Sequence, residues 1–504
     1  MNRRDFMGTS VGACLAASSV AGQIAAVATS GQSDLVSPLE TKLAVRPVMT
    51  SMVHTGVWEG PCRWSAVSVS DEKQRAAASF ARWSAQVTQQ LGGQAGIEVL
   101  PPVQVTFSED FKLTKDQLEK LTGDGKQADV VFVAPHGSSI TAFDVGQHLK
   151  RPIIVQGLSC RTVDISAYSR SNGLEAYVPA NSDELGRLLV LLRARKVFRQ
   201  TRVLFPTNWG LPAVASVTSV NDLADLEKRH GVGVKQISYD ELAKAMDATL
   251  SSEADRDKAA RVADELVKSA QKTLLDRDYV VSSMQFYRTI TRLMSQHKCN
   301  AFTIECFEFC SSRLPEKWKI TPCLIHTLLK DLGHASSCEA DFGGLLSMRL
   351  LMSVSQKSSH LGNMFLRPGG VLAINHSASG LKMNGYDQPP LPYKLGRFVQ
   401  SGWGTKFVVD FMNNEEKRVT VVRIDPTATK MLVLKGKLVG ADGWDGDNLG
   451  CSVEARVVPM EGTAEDFARK QTDYGNHLIW VYGHYADELE QLGKMLDMKV
   501  EVVG

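Results

Sequence analysis

Four residues of the chain have the chemistry of a metal site. Glu339 and Asp341 stand two positions apart in Cys338-Glu339-Ala340-Asp341-Phe342-Gly343-Gly344, ahead of the apolar run Leu345 to Val354. His376 and His477 follow in small, polar settings, Asn375-His376-Ser377 and Gly475-Asn476-His477. Carboxylate oxygens with imidazole nitrogens suit a hard or borderline divalent cation such as Mn²⁺, Mg²⁺ or Zn²⁺. Taken singly, Glu339 reads equally as a helix cap and each histidine as a polar core residue. Together they read as a ligand set, provided the fold brings them to one place. In an extended segment Glu339 and Asp341 would point the same way, because side chains i and i+2 share a face.

The elements around these residues suggest how that happens. Continuous apolar runs such as Ala128–Ala134 read as buried parallel strands, and they alternate with helix-spaced segments such as 71–91. This predicts an α/β protein: two Rossmann-like parallel α/β domains, at 45–180 and 181–358, with Glu339 and Asp341 in the second. Beyond residue 359 short alternating runs, Phe407–Phe411, Val419–Ile424, Met431–Leu434 and Val453–Val458, predict a β-rich domain built as an antiparallel sheet or barrel. Strand Ala128–Ala134 leads into Pro135-His136-Gly137-Ser138-Ser139. Ligands gather at such carboxyl ends of parallel strands, so His136 is a further candidate.

The first residues have another character. Arg3-Arg4-Asp5-Phe6 precedes a mildly apolar Ala/Ser/Gly run that ends in Ala26-Val27-Ala28. Residues 1–28 therefore read as a Tat-type signal peptide, and 29–44 as a linker. A periplasmic or exported location follows, with no membrane span in the mature protein, since no later run is long and apolar enough.

Composition excludes other classes. A net charge of +2 on 504 residues, with no long basic run, argues against a nucleic-acid partner. G-x-G-x-x-G and G-x-x-x-x-G-K-[ST] are absent, and G-x-S-x-G occurs only at Gly8-Thr9-Ser10-Val11-Gly12 inside the signal-like start, so no nucleotide cradle or serine-hydrolase elbow is expected. Cys306-x-x-x-Cys310 has no matching second pair for a zinc ribbon, and most of the nine cysteines read as small core residues.

Glu339-Ala340-Asp341 with its glycines, His376 after Gly370–Ile374, and Gly475-Asn476-His477 before Leu478–Gly483 together resemble the L-fucose/L-arabinose isomerase superfamily. The resemblance covers motifs in roughly residues 300–504. It implies a divalent metal, Mn²⁺, held by Glu339, Asp341, His376 and His477, with Glu339 and Asp341 also catalytic. It implies a small carbohydrate as substrate and aldose–ketose interconversion through an enediol; a homo-oligomer is the expected assembly. The family has one more metal glutamate before this motif. Glu305, ending the strand Ala301–Ile304, is the candidate for it, and His360 is an alternative to His376. If a ligand or base is missing, the same fold would serve as a non-catalytic sugar-binding protein. An epimerase, lyase or hydrolase is the other alternative.

Overall fold

The structure is a computed structural model that describes residues 35–60, 63–123, 125, 127–210 and 215–504. The signal peptide read at 1–28 lies outside the described residues. The linker read at 29–44 is described only from residue 35, and there it is short. Pro38–Glu40 form a 3₁₀ turn, and the first strand opens at Leu43.

Two compact units are formed, one by residues 41–193 and the other by 35–40 with 194–504. The boundary falls inside the helix Ser182–Arg199, later than the break expected at 180. In the first unit β1 (Leu43–Met52) is central, with β2 (Ile97–Val99) and β3 (Val103–Phe107) along one edge. On its other edge follow β4 (Val130–Pro135), β5 (Ile153–Ile154) and β6 (Ala176–Tyr177), all parallel. Nine of the ten residues of β1 are buried, as a strand covered on both faces requires. The chain reverses its direction of sheet growth at β1, which leaves a crevice at the carboxyl ends of β1, β3 and β4.

The second unit holds a four-stranded parallel sheet and a barrel. The sheet contains β7 (Arg202–Pro206), β8 (Gly233–Ile237), β9 (Ala301–Ile304) and β10 (Ala335–Cys338), in the order β8-β7-β9-β10. The barrel uses β11 (His360–Arg367) and β12 (Val371–Ser379). A small side sheet follows with β13 (Tyr393–Arg397) and β14 (Thr405–Val409), and the barrel resumes with β15 (Arg418–Ile424), β16 (Lys430–Asp442), β17 (Val453–Pro459) and β18 (Leu478–Tyr482). Six strands close antiparallel in the order β15-β18-β11-β12-β17-β16, and β16 returns to β15. The β-rich expectation thus resolves into a closed six-stranded antiparallel barrel. Strand β19 (Lys499–Val503) pairs parallel with β16.

The helix Phe342–Ser355 joins sheet to barrel. All fourteen of its residues are buried, and it lies against β15 and β18. Its buried Arg349 donates to the Gly333 and Asn300 carbonyls, so the enclosed helix leaves that charge hydrogen-bonded. It starts directly after Glu339-Ala340-Asp341, so the helix that ties the layers together also fixes the motif. Among the described residues no helix is long and apolar enough to cross a membrane.

Candidate metal centre

Strand β10 ends at Cys338, and the chain then turns sharply. Glu339 and Ala340 both adopt left-handed backbone, with φ of 57° and 49°. Such non-glycine residues each cost on the order of 1–3 kcal/mol and persist only where the surroundings over-determine them. They do here. The Ser219 hydroxyl donates to the Ala340 carbonyl at 2.7 Å and accepts from the Phe342 amide at 2.9 Å. The Ala340 amide reaches the Ile304 carbonyl at 3.2 Å. The segment is therefore not extended, and the expectation that Glu339 and Asp341 face one way by strand alternation is corrected. The turn sends the two carboxylates to different tasks.

Asp341 caps the helix, accepting from the Gly344 amide at 3.0 Å. Its other oxygen pairs with Arg423 of β15 and lies 2.8 Å from Nδ1 of His477. Asp341 and Arg423 are fully buried. Burial pushes the Asp341 carboxyl up, but Arg423 and His477 outweigh it and hold it well below the usual carboxylate range. Arg423 also donates to the Tyr474 carbonyl at 3.0 Å and the Thr218 carbonyl at 3.1 Å. The glycines follow from this crowding. A Cβ on Gly344 would lie 2.7 Å from Asp341 Oδ2, and one on Gly475, at φ 110°, would lie 2.8 Å from Arg423 Nη2.

Glu339 turns the other way, toward both histidines. Its Oε1 lies 3.4 Å from Nε2 of His376, and its Oε2 lies 3.4 Å from Nε2 of His477. The two rings are edge to face, with centroids 5.5 Å apart. Both Nδ1 atoms are occupied. His477 Nδ1 faces Asp341, an anion that can only accept, so Nδ1 carries a proton. His376 Nδ1 lies 3.7 Å from Cys451 Sγ. Nε2 of His477 is buried and has no hydrogen-bond partner. A partnerless buried nitrogen costs about 1–3 kcal/mol, and a ligated cation would remove that cost.

These three residues, Glu339, His376 and His477, are a group able to hold a metal ion. The residue types suit a divalent cation, and one ligand atom from each lies within 4.8 Å of the others. Asp341 is outside the group. Expected as a ligand and catalytic residue, it instead orients His477 from behind, as outer-shell carboxylates do. Burial disfavours the His376 cation, yet Cys451 and Glu339 raise its pKa well above the usual histidine value. Burial raises Glu339, but His376 and His477 bring it to a net lowering.

The remaining candidates divide. Glu305 ends β9 beside Cys338, the register partner of Ile304. Its Oε1 accepts from the Phe307 amide at 2.9 Å, while Oε2 is buried and unpartnered. Burial, with Glu339 and Glu308 nearby, pushes its pKa up to about 7. His360 does not join the group. Its Nδ1 lies 2.8 Å from Ser379 Oγ and its Nε2 3.2 Å from the Ile374 carbonyl, so both nitrogens are committed within the barrel. His136 belongs to the first unit. There it lines a cavity of about 760 Å³ with His54, Trp58, Glu72, Arg75 and Arg161. The sequence reading passed over the buried His54–Glu72 pair, 2.8 Å apart with His54 stacked on Trp58 at 5.2 Å. Its position just past β1 was the available signal.

Glu339 and His376 also open onto a cavity of about 200 Å³. Phe307, Phe309, Phe398 and Pro315 line it, with five cysteines, 306, 310, 323, 338 and 451. The described cysteines are free thiols, and these five gather at one place instead of dispersing through the core. No protein-family model matches the chain, and no curated protein matches it.

The pairing of Asp341 with Arg423 changes what its removal should do. Asp341→Asn leaves the Arg423 charge buried without its counter-ion, a loss worth about 3–5 kcal/mol. The melting temperature should fall sharply even without metal. A melting curve of the metal-free variant that matches the parent would contradict this role.

Proposed function

We propose that the protein is an exported, metal-dependent sugar isomerase that interconverts an aldose and a ketose through an enediol. The observation that carries this reading is the convergence of Glu339 with the Nε2 atoms of His376 and His477. The two parallel sheets are then the Rossmann-like layers of the resembled family, and Mn²⁺ is the expected ion. When bound, such a cation polarises the substrate carbonyl as a Lewis acid.

The chain's own residues supply the rest. Glu339, His376 and His477 hold the ion, and Asp341 accepts from His477 Nδ1 behind it. Glu305 is the proton carrier. Its free Oε2 and a pKa near 7 let it take a proton from C2 and return it to C1 at neutral pH. Phe307, Phe309 and Phe398 give the cavity an apolar lining. The test is an aldose panel incubated with the Mn²⁺-loaded protein and read by NMR for ketose. Turnover abolished by a chelator and restored by Mn²⁺ supports the reading. Saturable sugar binding without ketose would instead favour a sugar-binding protein.

One observation favours a second reading. The cavity wall carries few hydrogen-bonding groups beyond Glu339, His376 and Thr321 for a chain of sugar hydroxyls. A lyase or epimerase acting on a shorter hydroxy-carbonyl compound would use the same ion and the same Glu305. Short hydroxy-carbonyl substrates belong in the same panel.

Binding of Mn²⁺ should depend on pH in one direction. His376 holds its proton above the usual histidine range, and that proton must leave for Nε2 to ligate. Glu339 stays ionised because its pKa is lowered. Affinity should therefore weaken by about tenfold per unit as pH falls through the neutral range, one proton being displaced per ion. Titration calorimetry at pH 6, 7 and 8 measures this, and a flat profile would contradict it.

A further inference from the structure

Two of the five cavity cysteines stand in a special relation to the site. Cys306 Sγ and Cys338 Sγ are 2.7 Å apart. That is a short step from the 2.03–2.05 Å of a disulfide. Cys306 directly follows Glu305, and Cys338 directly precedes Glu339. The thiols thus face each other across the ends of β9 and β10, the two strands that deliver the site's carboxylates.

We propose that Cys306 and Cys338 form a reversible disulfide in response to small-molecule disulfides, and that closing it weakens metal binding at Glu339, His376 and His477. The coupling rests on the metal reading above. Cys306 is partly exposed and Cys338 is buried, which sets the order of events. The Cys306 thiolate attacks one sulfur of the incoming disulfide and expels a first thiolate. Cys338 then attacks Cys306 in the mixed disulfide and expels the second. One disulfide is reduced to two thiols, two electrons leave the cysteine pair, and the two cysteine protons end on the released thiols.

The consequence for the metal follows from geometry. The reduced pair coexists with Glu339 placed 3.4 Å from each Nε2. Bond formation draws the sulfurs together by about 0.65 Å, the difference between the 2.7 Å contact and the covalent length. Sites of this kind hold their geometry only to about 0.5 Å. Glu339 is the next residue, on a turn already in left-handed backbone, so the shift reaches it directly.

The full-length protein is equilibrated in glutathione buffers of graded potential. Peptide mapping after alkylation then locates disulfides, and calorimetry gives the Kd for Mn²⁺. The expected result is a Cys306–Cys338 link under oxidising conditions and a Kd at least tenfold higher than in the reduced protein, reversed by a phosphine reductant. Cys306→Ser and Cys338→Ser should each bind Mn²⁺ alike in both buffers. Absence of the link at every potential overturns the proposal. A link with unchanged Kd overturns the coupling while leaving the metal reading intact. Mn²⁺ binding in neither state overturns the metal reading and the coupling with it, and the peptide map still reports on the pair.

Discussion

Replacing His477 with alanine should strip the site of metal. The variant loses one of the three side chains able to hold a metal ion and the only buried ring nitrogen of the group without a partner. Loss of an outer-shell partner typically costs about 10–100-fold in metal affinity, so loss of a ligand should exceed about 100-fold. Turnover should disappear with the ion. Asp341 keeps its pairing with Arg423 in this variant, so the metal-free protein should melt closer to the parent than Asp341→Asn does. The two variants separate ligation from support. Calorimetry with Mn²⁺ and melting curves on both provide the readout. Parent-like affinity in His477→Ala would remove His477 from the site.

Glu305→Gln should behave in the opposite way. The amide keeps the size of the side chain and can still accept from the Phe307 amide, but it cannot take up a proton. Metal should remain bound, because the three-ligand group is untouched. The rate of isomerisation should fall by about 10²–10⁴-fold, the usual contribution of a general acid–base group. The parent should also lose activity as pH falls through about 7, where Glu305 becomes protonated and can no longer accept the substrate proton. This loss is separable from that of the metal by working at saturating Mn²⁺. A Glu305→Gln enzyme with parent-like kcat would assign the proton transfer elsewhere.

The parts of the site differ in how far they could be read from the sequence. Glu339, His376 and His477 stand out because carboxylate and imidazole sit among small residues, and the chain brings all three together. Local spacing misjudged Asp341. The two-residue interval suggested a shared direction, but Glu339 and Ala340 adopt positive φ and break the alternation. That conformation depends on Ser219 and on the Ile304 carbonyl, neither of which the motif contains. Arg423, the partner of Asp341, is 82 positions away. An arginine within Val419-Thr-Val-Val-Arg-Ile424 was nevertheless a usable signal, since a buried strand rarely carries a charge without a counter-ion.

The fold shows the same division. Continuous apolar runs marked the parallel strands, and alternation marked β15, β16 and β17. Barrel closure was beyond local pattern, because it depends on β15 pairing with both β16 and β18. His360 illustrates the reverse error. Its residue type fitted a ligand set, but Ser379 and the Ile374 carbonyl claim both nitrogens once β11 and β12 pair. The cysteine-lined cavity was equally hidden. Cys306, Cys323, Cys338 and Cys451 come from different elements and meet only in the folded chain.

The most direct test of the metal centre is a crystal of the protein grown with Mn²⁺ and measured for anomalous scattering. One strong anomalous peak is expected within about 2–2.3 Å of Glu339 and of Nε2 on both His376 and His477, with Asp341 still on Arg423. A crystal in which Mn²⁺ binds elsewhere, or in which the Glu339–His376–His477 group holds no peak at saturating Mn²⁺, would contradict it.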